Sequence, residues 1–380
     1  MSDRFILNLK SKGLDKYQSA YQITLNKTFN EICGKTYSKT LNTTTANLVL
    51  KNNVLCENVG MTSDYSTQQT TMGSNDKCMF ITDKGNIACY DPSDSELYVI
   101  YDGDHCASLE SNRDGSRLAI GFSDGDIMVY DFESQKSKFL YTKYTNISRR
   151  IKWVNDNVLS STIGSYIRLH DIRSGSVIKV AKGNKYQLCS MTWSLDGRYL
   201  TSGSDHGTVC VWDSRKLEMP LWKLKGHTSS VGSVDWCPWN TGMFATGGIF
   251  DKSIKIWDVR TGDSKHTIQT NAQVCSILFS RHTRQIISAH GYGHHGELDQ
   301  LGTPIAGSLM MHSWGNLDKG IVVEKDTCRY MAVHVSRNGN DVITIQPDAK
   351  LLVNIKYWKL NVKSNRPKRK QKIKNKKSWK

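Results

Sequence analysis

The chain has 380 residues, of which 38% are hydrophobic and 23% charged, and its formal net charge at pH 7 is +16. No apolar run approaches the roughly 18 residues that a membrane-spanning helix needs, so the composition argues against a membrane protein. The ten cysteines include no CxxC pair, and no secretory signal precedes them. This pattern favours reduced thiols in the cytosol or nucleus.

The positive charge is concentrated at the end of the chain. Residues 363–380 hold ten Lys or Arg and no acid, which leaves 41 basic and 35 acidic residues, a net +6, in the rest. The run at 367–370, Pro-Lys-Arg-Lys, indicates a nuclear localisation signal, a solvated tail or an arm for nucleic acid. Only Trp379 could stack on a base, which argues against a nucleic-acid partner. We expect the protein in the nucleus and cytoplasm.

The first 47 residues differ in character from the rest of the chain. Residues 1–10 are too short to fold alone and form either a frayed terminus or a docking peptide. Apolar residues spaced by three or four predict an amphipathic helix over 14–33, which either packs on the rest of the protein or binds a partner. The polar, Thr- and Asn-rich residues 34–47 are typical of a linker.

A complete structural repeat lies in the middle of the chain. Alternating apolar residues predict strands at 231–236, 243–245 and 253–258, separated by turns. Four polar groups stand before, within and between these strands, as in a blade of a WD-type propeller, where they form a hydrogen-bonded chain that satisfies buried polar atoms. They are His227, Thr246, Asp251 and Trp257.

The end of the third strand recurs along the chain. Intervals between the five clear aspartates are 40, 40, 42 and 45 residues, and two degenerate copies occur at 57 and 44 residues from the preceding Trp. A period of about 40 to 45 residues predicts an all-β, seven-bladed WD-repeat propeller, over residues 48–362. The seven strand ends are Tyr90-Asp91, Tyr130-Asp131, His170-Asp171, Trp212-Asp213, Trp257-Asp258, Ser313-Trp314 and Tyr357-Trp358.

The first and last blades of such a ring must pair, because an open sheet edge leaves backbone groups unsatisfied. Residues 48–75, upstream of the first clear blade, contain apolar runs at 48–50 and 54–55. We therefore expect the closing strand in this segment.

The sixth repeat carries an insertion at about 293–307. It contains His294, His295, Glu297 and Asp299, with His290 just before it. These residue types can bind metal, but they lie in a glycine-rich loop without fixed ligand spacing, so we assign no metal and no cofactor. No nucleophile motif or phosphate-binding glycine loop is present either, and we expect no enzyme activity.

Blades three to six contain a set of specific motifs, namely His170-Asp171-Ile172-Arg173, Cys237-Pro238-Trp239, Ala245-Thr246-Gly247-Gly248, Gln273-Val274-Cys275-Ser276 and Ser288-Ala289-His290-Gly291-Tyr292. Together they resemble the fizzy and fizzy-related family of WD-repeat proteins, activators and substrate receptors of the anaphase-promoting complex, a cell-cycle ubiquitin ligase. The resemblance is strong over blades three to six and weaker elsewhere.

The resemblance implies a ligase-docking motif near the N-terminus. The family's C-box, Asp-Arg-Phe/Tyr-Ile-Pro-x-Arg, is similar to Asp3, Arg4, Phe5 and Ile6 here, where the arginine suits a carboxylate-lined pocket. Leu7 replaces the family's proline and Leu9 its second arginine. The family's usual Ile-Arg carboxy-terminal anchor is absent, since the chain ends in Ser-Trp-Lys.

The resemblance also implies a groove for the destruction box, Arg-x-x-Leu, between the first and last blades. Val54-Leu55 is similar to the family's Val-Leu there, but the acid expected before it is missing, and the nearest Asp-Tyr pair, Asp64-Tyr65, comes after it. On the last blade, Asp348 is followed by Ala-Lys-Leu where the family has Glu-Thr-Leu. One acid is therefore lost and a cation is gained, which predicts changed specificity.

A third implied site reads the KEN box, Lys-Glu-Asn, on the axial face of the propeller. Gln273 and Arg329 fall at the family's amide and cationic positions. The family's Gly-Gly-Asn-Asp-Asn becomes Gly-Ser-Asp-His-Gly at 203–207, which leaves Asp205 in place of the first asparagine and removes both amides.

The resemblance therefore implies a non-catalytic activator and substrate adaptor of the anaphase-promoting complex in mitotic or meiotic cell division. Its partners would be subunits of that ligase and degron-bearing substrates such as cyclins, brought together without chemistry by the adaptor itself. The alternative is a WD-repeat scaffold of a nuclear or ribonucleoprotein assembly, anchored electrostatically by the basic tail.

Overall fold

The computed structural model describes residues 47–61, 68–140, 147–182, 184–291, 293, 307–326, 328–336, 338–347 and 352–361. These residues form seven sheets of four antiparallel strands each, and their only helical element is a 3-10 turn at Ser74–Asp76. The all-β, seven-bladed propeller predicted from the repeat is confirmed. The first described strand begins at Asn47 and the last ends at Asn361.

Twenty-eight strands make up the seven blades. In chain order they are β1 (Asn47–Gly60), which belongs to blade 7; β2 (Thr70–Met72), β3 (Cys78–Ile81), β4 (Ile87–Asp91) and β5 (Glu96–Tyr101) of blade 1; β6 (Cys106–Ser111), β7 (Arg117–Phe122), β8 (Ile127–Asp131) and β9 (Lys136–Leu140) of blade 2; β10 (Ser148–Asn155), β11 (Val158–Ile163), β12 (Tyr166–Asp171) and β13 (Ser176–Ala181) of blade 3; β14 (Leu188–Trp193), β15 (Tyr199–Ser204), β16 (Thr208–Asp213) and β17 (Trp222–Lys225) of blade 4; β18 (Val231–Trp236), β19 (Met243–Gly248), β20 (Ser253–Asp258) and β21 (Asp263–Gln269) of blade 5; β22 (Val274–Ser280), β23 (Gln285–His290), β24 (Ser308–Ser313) and β25 (Asn316–Lys325) of blade 6; and β26 (Ala332–Val335), β27 (Asp341–Pro347) and β28 (Leu352–Asn361) of blade 7.

The ring closes through its N-terminal strand. In blade 7 the sheet order is β26, β27, β28, β1, so β1 supplies the outermost strand, with Leu48 opposite Leu360 and Val54 opposite Ile355. This confirms the prediction of a closing strand upstream of blade 1. Because β1 comes from the opposite end of the chain, its pairing joins the two ends of the array and removes an open edge.

The core lies between neighbouring blades, because each sheet buries both of its faces. Between blades 1 and 2, for example, Met79 and Ile81 pack in one cluster with Leu109, Leu118 and Ile120. These side chains are at most 3% exposed. Continuous apolar strands of this kind, such as Ile-Met-Val-Tyr in β8, are expected where both faces of a sheet are covered.

A serine on an inner strand links several blades to the next. Ser108 Oγ donates to the backbone oxygen of Ser148 at 2.7 Å, and Ser190 Oγ donates to that of Val231 at 2.7 Å. A glycine in the second strand makes room for each serine, since a Cβ on Gly203 would lie 2.5 Å from Ser190 Oγ and 2.5 Å from Val231 Cγ1. The glycine is therefore required by packing against the next blade.

We expect Gly203→Ala to lower the free energy of unfolding by about 1 to 3 kcal/mol, the usual effect of overpacking a rigid core. The matched control is Gly315→Ala, because a Cβ there would meet nothing within 4 Å. Urea unfolding monitored by tryptophan fluorescence gives both values. Equal midpoints for the two variants would contradict this account of the serine link.

A buried lysine joins blade 7 to blade 6. The side chain of Lys356 in β28 is 4% exposed, and its Nζ lies 2.9 Å from Glu324 Oε2 and 2.7 Å from Asp326 Oδ2. Gln346 Nε2 donates to the same Asp326 oxygen at 2.8 Å, and Tyr330 donates its hydroxyl to Glu324. Burial acts to raise the pKa of Asp326, but the bonds from Lys356 and Gln346 bring it below its ordinary value. We call these five residues the blade 6–7 ion cluster.

The nine cysteines in the described ranges are free thiols, and most of them are buried in strands. Burial raises the pKa of several of them, for example that of Cys89 to about 11. Over the same ranges, no helix has both the length and the apolar character needed to span a bilayer.

Candidate functional site

The hydrogen-bonded chain predicted for blade 5 is present. Trp257 Nε1 donates to Thr246 Oγ1 at 2.8 Å, Thr246 is bonded to His227 Nε2 at 2.7 Å, and His227 Nδ1 lies 2.8 Å from Asp251 Oδ2. One arrangement of protons satisfies all three bonds: the threonine hydroxyl donates to Nε2, and Nδ1–H donates to the carboxylate. Thr228 N also donates to Asp251 Oδ2 at 3.1 Å. The chain thus fixes the turn between β19 and β20.

Other blades form parts of this hydrogen-bonded chain, but with different residue types. In blade 3, His170 stands where blade 5 has its tryptophan, and its Nε2 lies 2.8 Å from Ser161 Oγ. In blade 7, Trp358 Nε1 donates to Thr344 Oγ1 at 3.0 Å. The bond between the third strand and the hydroxyl of the second strand therefore survives where the rest of the motif is lost.

The three residues assigned to the KEN-type receptor lie on one face of the propeller. Gln273 and Arg329 come just before the first strands of blades 6 and 7, and Asp205 directly follows the second strand of blade 4. The start of a first strand and the end of an antiparallel second strand are at the same end of a blade. We call this end the upper face.

Gln273 and Arg329 surround the same cysteine. The amide oxygen of Gln273 and Cys275 Sγ both approach Gly291, where a Cβ would lie 2.9 Å and 3.0 Å from them. Burial raises the pKa of Cys275 to about 11 although the nearby Arg329 guanidinium acts to lower it. The thiol is therefore neutral at physiological pH and does not neutralise Arg329.

Arg329 is 9% exposed, and its buried Nη2 has no hydrogen-bond partner among the described residues. A buried guanidinium nitrogen in a folded protein normally donates to an oxygen. The upper face thus offers a cationic donor that a ligand carboxylate or carbonyl would satisfy.

Asp205 lies two blades from Gln273, in a different polar group. Its backbone N–H donates to Gln187 O at 3.0 Å. With its amide oxygen turned toward Arg149, Gln187 accepts from Arg149 Nε at 2.7 Å. Asp205 itself is exposed on the upper face. The structure therefore brings Gln273 and Arg329 together and leaves Asp205 separate from them.

Sequence reasoning missed three aromatic residues of the upper face. The rings of Tyr186 and His206 lie with their centroids 4.0 Å apart, and Lys185 Nζ lies 5.9 Å from the Tyr186 ring. Phe250, in the second turn of blade 5, is 49% exposed. Tyr186 and Phe250 belong to no recognisable motif, and His206 lies in the 203–207 segment without having been singled out; only their positions in loops that open on this face could have indicated them.

The other predicted site residues lie outside the described ranges. These are Asp3, Arg4, Phe5 and Ile6 of the C-box-like motif, and Asp64, Tyr65 and Asp348 of the destruction-box groove. The predicted helix over 14–33, the basic tail and most of the 293–307 insertion lie outside them too. Val54 and Leu55 are described, and both lie in β1 at the outer edge of blade 7.

No group of three or more potential metal ligands occurs among the described residues. His290, the one described histidine near the insertion, is fully buried and bonded through Nε2 to Ser288 Oγ at 2.8 Å. Burial lowers its pKa to about 4. It therefore belongs to the core of blade 6.

Comparison with known proteins agrees with this architecture. The family model for the WD domain, G-beta repeat, matches residues 175–213 and 218–258, in blades 3 to 5. Among solved structures, the crystal structure of the mitotic checkpoint complex contains a similar chain, with a TM-score of 0.73 and 24% identity over 86% of this chain and 99% of that one. The protein is a seven-bladed WD-repeat propeller.

Comparison of sequences gives a more specific result than the fold class. WD repeat-containing protein slp1 of Schizosaccharomyces pombe is 29% identical over 73% of this chain and 53% of its own. Anaphase-promoting complex subunit cdc20 of Dictyostelium discoideum is 28% identical over 69% and 50%, and FIZZY-RELATED 3 of Arabidopsis thaliana 26% over 78% and 57%. The chain spans about half the length of these relatives. Its sequence is thus similar to cdc20 and fizzy-related proteins over most of this chain.

Proposed function

We propose that this chain is a substrate-recognition and activator subunit of the anaphase-promoting complex, which binds degron-bearing proteins such as cyclins and presents them for ubiquitin transfer. The observation that carries the proposal is the unsatisfied guanidinium nitrogen of Arg329, which lies near Cys275, as Gln273 does, on the upper face of a propeller. Relatives of this chain include proteins named as subunits or cofactors of that complex.

The upper face is suited to a short peptide that contains an acid and an amide. Arg329 offers a buried donor to a carboxylate, and Gln273 can both donate to and accept from an amide side chain. Asp205 is available for a cationic side chain on the side of blade 4. The adaptor then acts by holding substrate and ligase in one complex, which raises their effective concentration.

A fluorescein-labelled Lys-Glu-Asn peptide tests this use of the upper face. We expect Arg329→Gln and Gln273→Ala each to weaken binding about tenfold or more, because a charged or buried hydrogen bond is lost. The matched control is Arg260→Gln, whose exposed guanidinium lies at the opposite end of blade 5 and is bonded to Asp258. Equal affinities for the three variants in fluorescence anisotropy would exclude recognition by Gln273 and Arg329.

Docking on the ligase is tested separately at the N-terminal motif. We expect subunits of the anaphase-promoting complex to co-purify with the full-length protein from its native lysate and to be lost in Arg4→Ala, as identified by mass spectrometry. Lys10→Ala is the matched control, because it removes one charge from the same segment outside the motif. Recovery of RNA-associated or other nuclear proteins from both variants, without ligase subunits, would favour the scaffold alternative.

We propose a nuclear and cytoplasmic location from the basic segment 363–380. A fluorescent fusion that lacks this segment is expected to lose its nuclear enrichment, and unchanged enrichment would contradict the assignment.

A further inference from the structure

The seven inner strands enclose a channel along the propeller axis, with a volume of about 860 Å³. Residues of all seven blades line it, and most of them are polar. Its volume falls within the range of about 300 to 1,000 Å³ that is common for small-molecule sites.

Positively charged side chains outnumber negatively charged ones in the lining of the channel. Its lining includes four cationic side chains and two carboxylates. With neutral histidines the lining carries a net charge of +2. A closed, low-dielectric wall of one sign focuses the potential and concentrates counter-ions of the opposite sign. The six are Arg113, Arg150, Lys152, Arg281, Glu110 and Asp235.

Both carboxylates are already engaged by the protein. Glu110 Oε1 lies 2.8 Å from Lys152 Nζ, and its other oxygen accepts from the Gln68 amide. Asp235 accepts from the backbone N–H groups of Phe279 at 2.7 Å and Trp236 at 3.0 Å. Neither acid forms a described ion pair with Arg113 or Arg281.

Arg113 and Arg281 lie at the same mouth of the channel. Each follows the first strand of its blade, β6 or β22, so both are at the lower end, opposite the upper face. Blades 2 and 6 place them on different sides of the axis. Both side chains are exposed, and within the described ranges neither makes a hydrogen bond or ion pair. The charge of Arg281 acts on Asp235 only at longer range, where it acts to lower the pKa of that carboxyl against the effect of burial.

Three arginines in the outer turns of the lower end are not free in this way. Arg173, Arg215 and Arg260 each form a bond to the aspartate two residues earlier, with distances of 3.0, 2.6 and 2.9 Å. The two arginines at the channel mouth thus differ from the arginines of the outer turns. The unpaired charges of Arg113 and Arg281 therefore lie at the mouth of a cavity that can hold a ligand.

We propose that this channel mouth binds the di- or polyphosphate group of a small molecule, with Arg113 and Arg281 as the principal contacts. A guanidinium presents a planar pair of N–H donors that matches phosphate oxygens, and two of them on different sides of the axis fit an anion with several phosphate groups. The net charge of the lining favours a multivalent anion over a monovalent one. This site is separate from the upper face and does not rest on the proposed function.

Isothermal titration with inorganic pyrophosphate and with ADP, at a constant ionic strength of about 0.15 M, tests the proposal. We expect saturable binding of pyrophosphate at least as tight as that of ADP, because the phosphate group is the feature recognised. The double variant Arg113→Gln/Arg281→Gln is expected to weaken it at least tenfold. Sodium sulfate at the same ionic strength should not show saturable binding.

The matched control is Arg173→Gln/Arg260→Gln, which removes the same charge from lower-end turns away from the axis. An equal loss of affinity in this control would show a general charge effect and overturn the proposal. The absence of saturable pyrophosphate binding, or binding of ADP alone, would overturn it as well. All four arginines are exposed, so circular dichroism is expected to show an intact fold in both variants.

Discussion

Replacing Lys356 by Met is expected to lower the free energy of unfolding by about 3 kcal/mol, because it leaves the carboxylates of the blade 6–7 ion cluster buried without a cation. Glu324 and Asp326 are about a quarter exposed, at 27% and 24%, so water reaches them in part. This places the effect at the lower end of the range for a broken buried pair. Urea unfolding at neutral pH measures the change.

Two further variants separate charge from packing. Lys359→Met, on the exposed side of the same strand, is the matched control and should change stability by less than about 0.5 kcal/mol. Adding Glu324→Gln and Asp326→Asn to Lys356→Met should restore at least half of the loss, because the uncompensated charges are removed. A loss that persists in full in the triple variant would attribute the effect to packing and contradict the electrostatic account.

Acidification is expected to destabilise the propeller well above the pH at which ordinary carboxylates are protonated. Burial lowers the pKa of His170, His290 and His334 from 6.5 to about 4. Between these values the unfolded chain binds protons at these histidines and the folded chain does not, so stability is complete above pH 6.5 and falls as the pH decreases toward 4.

Asp235 acts in the opposite direction. Burial raises its pKa to about 6, so the folded chain takes up this proton before the unfolded chain does. The three histidines destabilise the folded state on acidification and the one carboxyl stabilises it. Together they predict that the free energy of unfolding falls by roughly 4 kcal/mol between pH 7.5 and pH 5.0. Urea unfolding at the two pH values measures it.

His170→Gln keeps a side chain able to bond to Ser161 but cannot titrate. We expect it to reduce the pH dependence by about one proton between pH 5 and 6.5. A free energy of unfolding that is the same at pH 7.5 and 5.0 in the unmodified protein would contradict the buried, neutral state of these histidines.

The repeat is predictable because similar residues recur in the sequence at the spacing of the blades. Each third strand ends in a similar pair, and a strand must pair at each end of the array, so the seven blades and the closure by β1 can both be predicted. The chain of His227, Thr246, Asp251 and Trp257 is equally accessible, since its members lie within 31 residues of one another.

Contacts between blades are not predictable in the same way. Lys356 meets Glu324 and Asp326, which are 32 and 30 residues earlier and belong to another sheet. No periodicity of the sequence relates the three positions. The contact between the tilted rings of Tyr186 and His206, which lie in two different loops, was missed for the same reason.

The candidate receptor on the upper face is predictable only through a family resemblance. Residue type and spacing alone do not distinguish Gln273 or Arg329 from other polar loop residues, whereas their meeting around Cys275 depends on how blades 6 and 7 are placed in the ring. The C-box-like and destruction-box assignments stay predictions from the sequence.

The most direct test of the central claim is ubiquitin transfer by purified anaphase-promoting complex to a cyclin fragment that carries its degrons. We expect ubiquitin chains to form when the full-length protein is added and to fall to the level without it when Arg4→Ala is used instead, with Lys10→Ala retaining activity. Ubiquitin transfer that is no faster with the full-length protein than without it, under conditions in which a known activator works, would contradict the assignment of this chain as an activator.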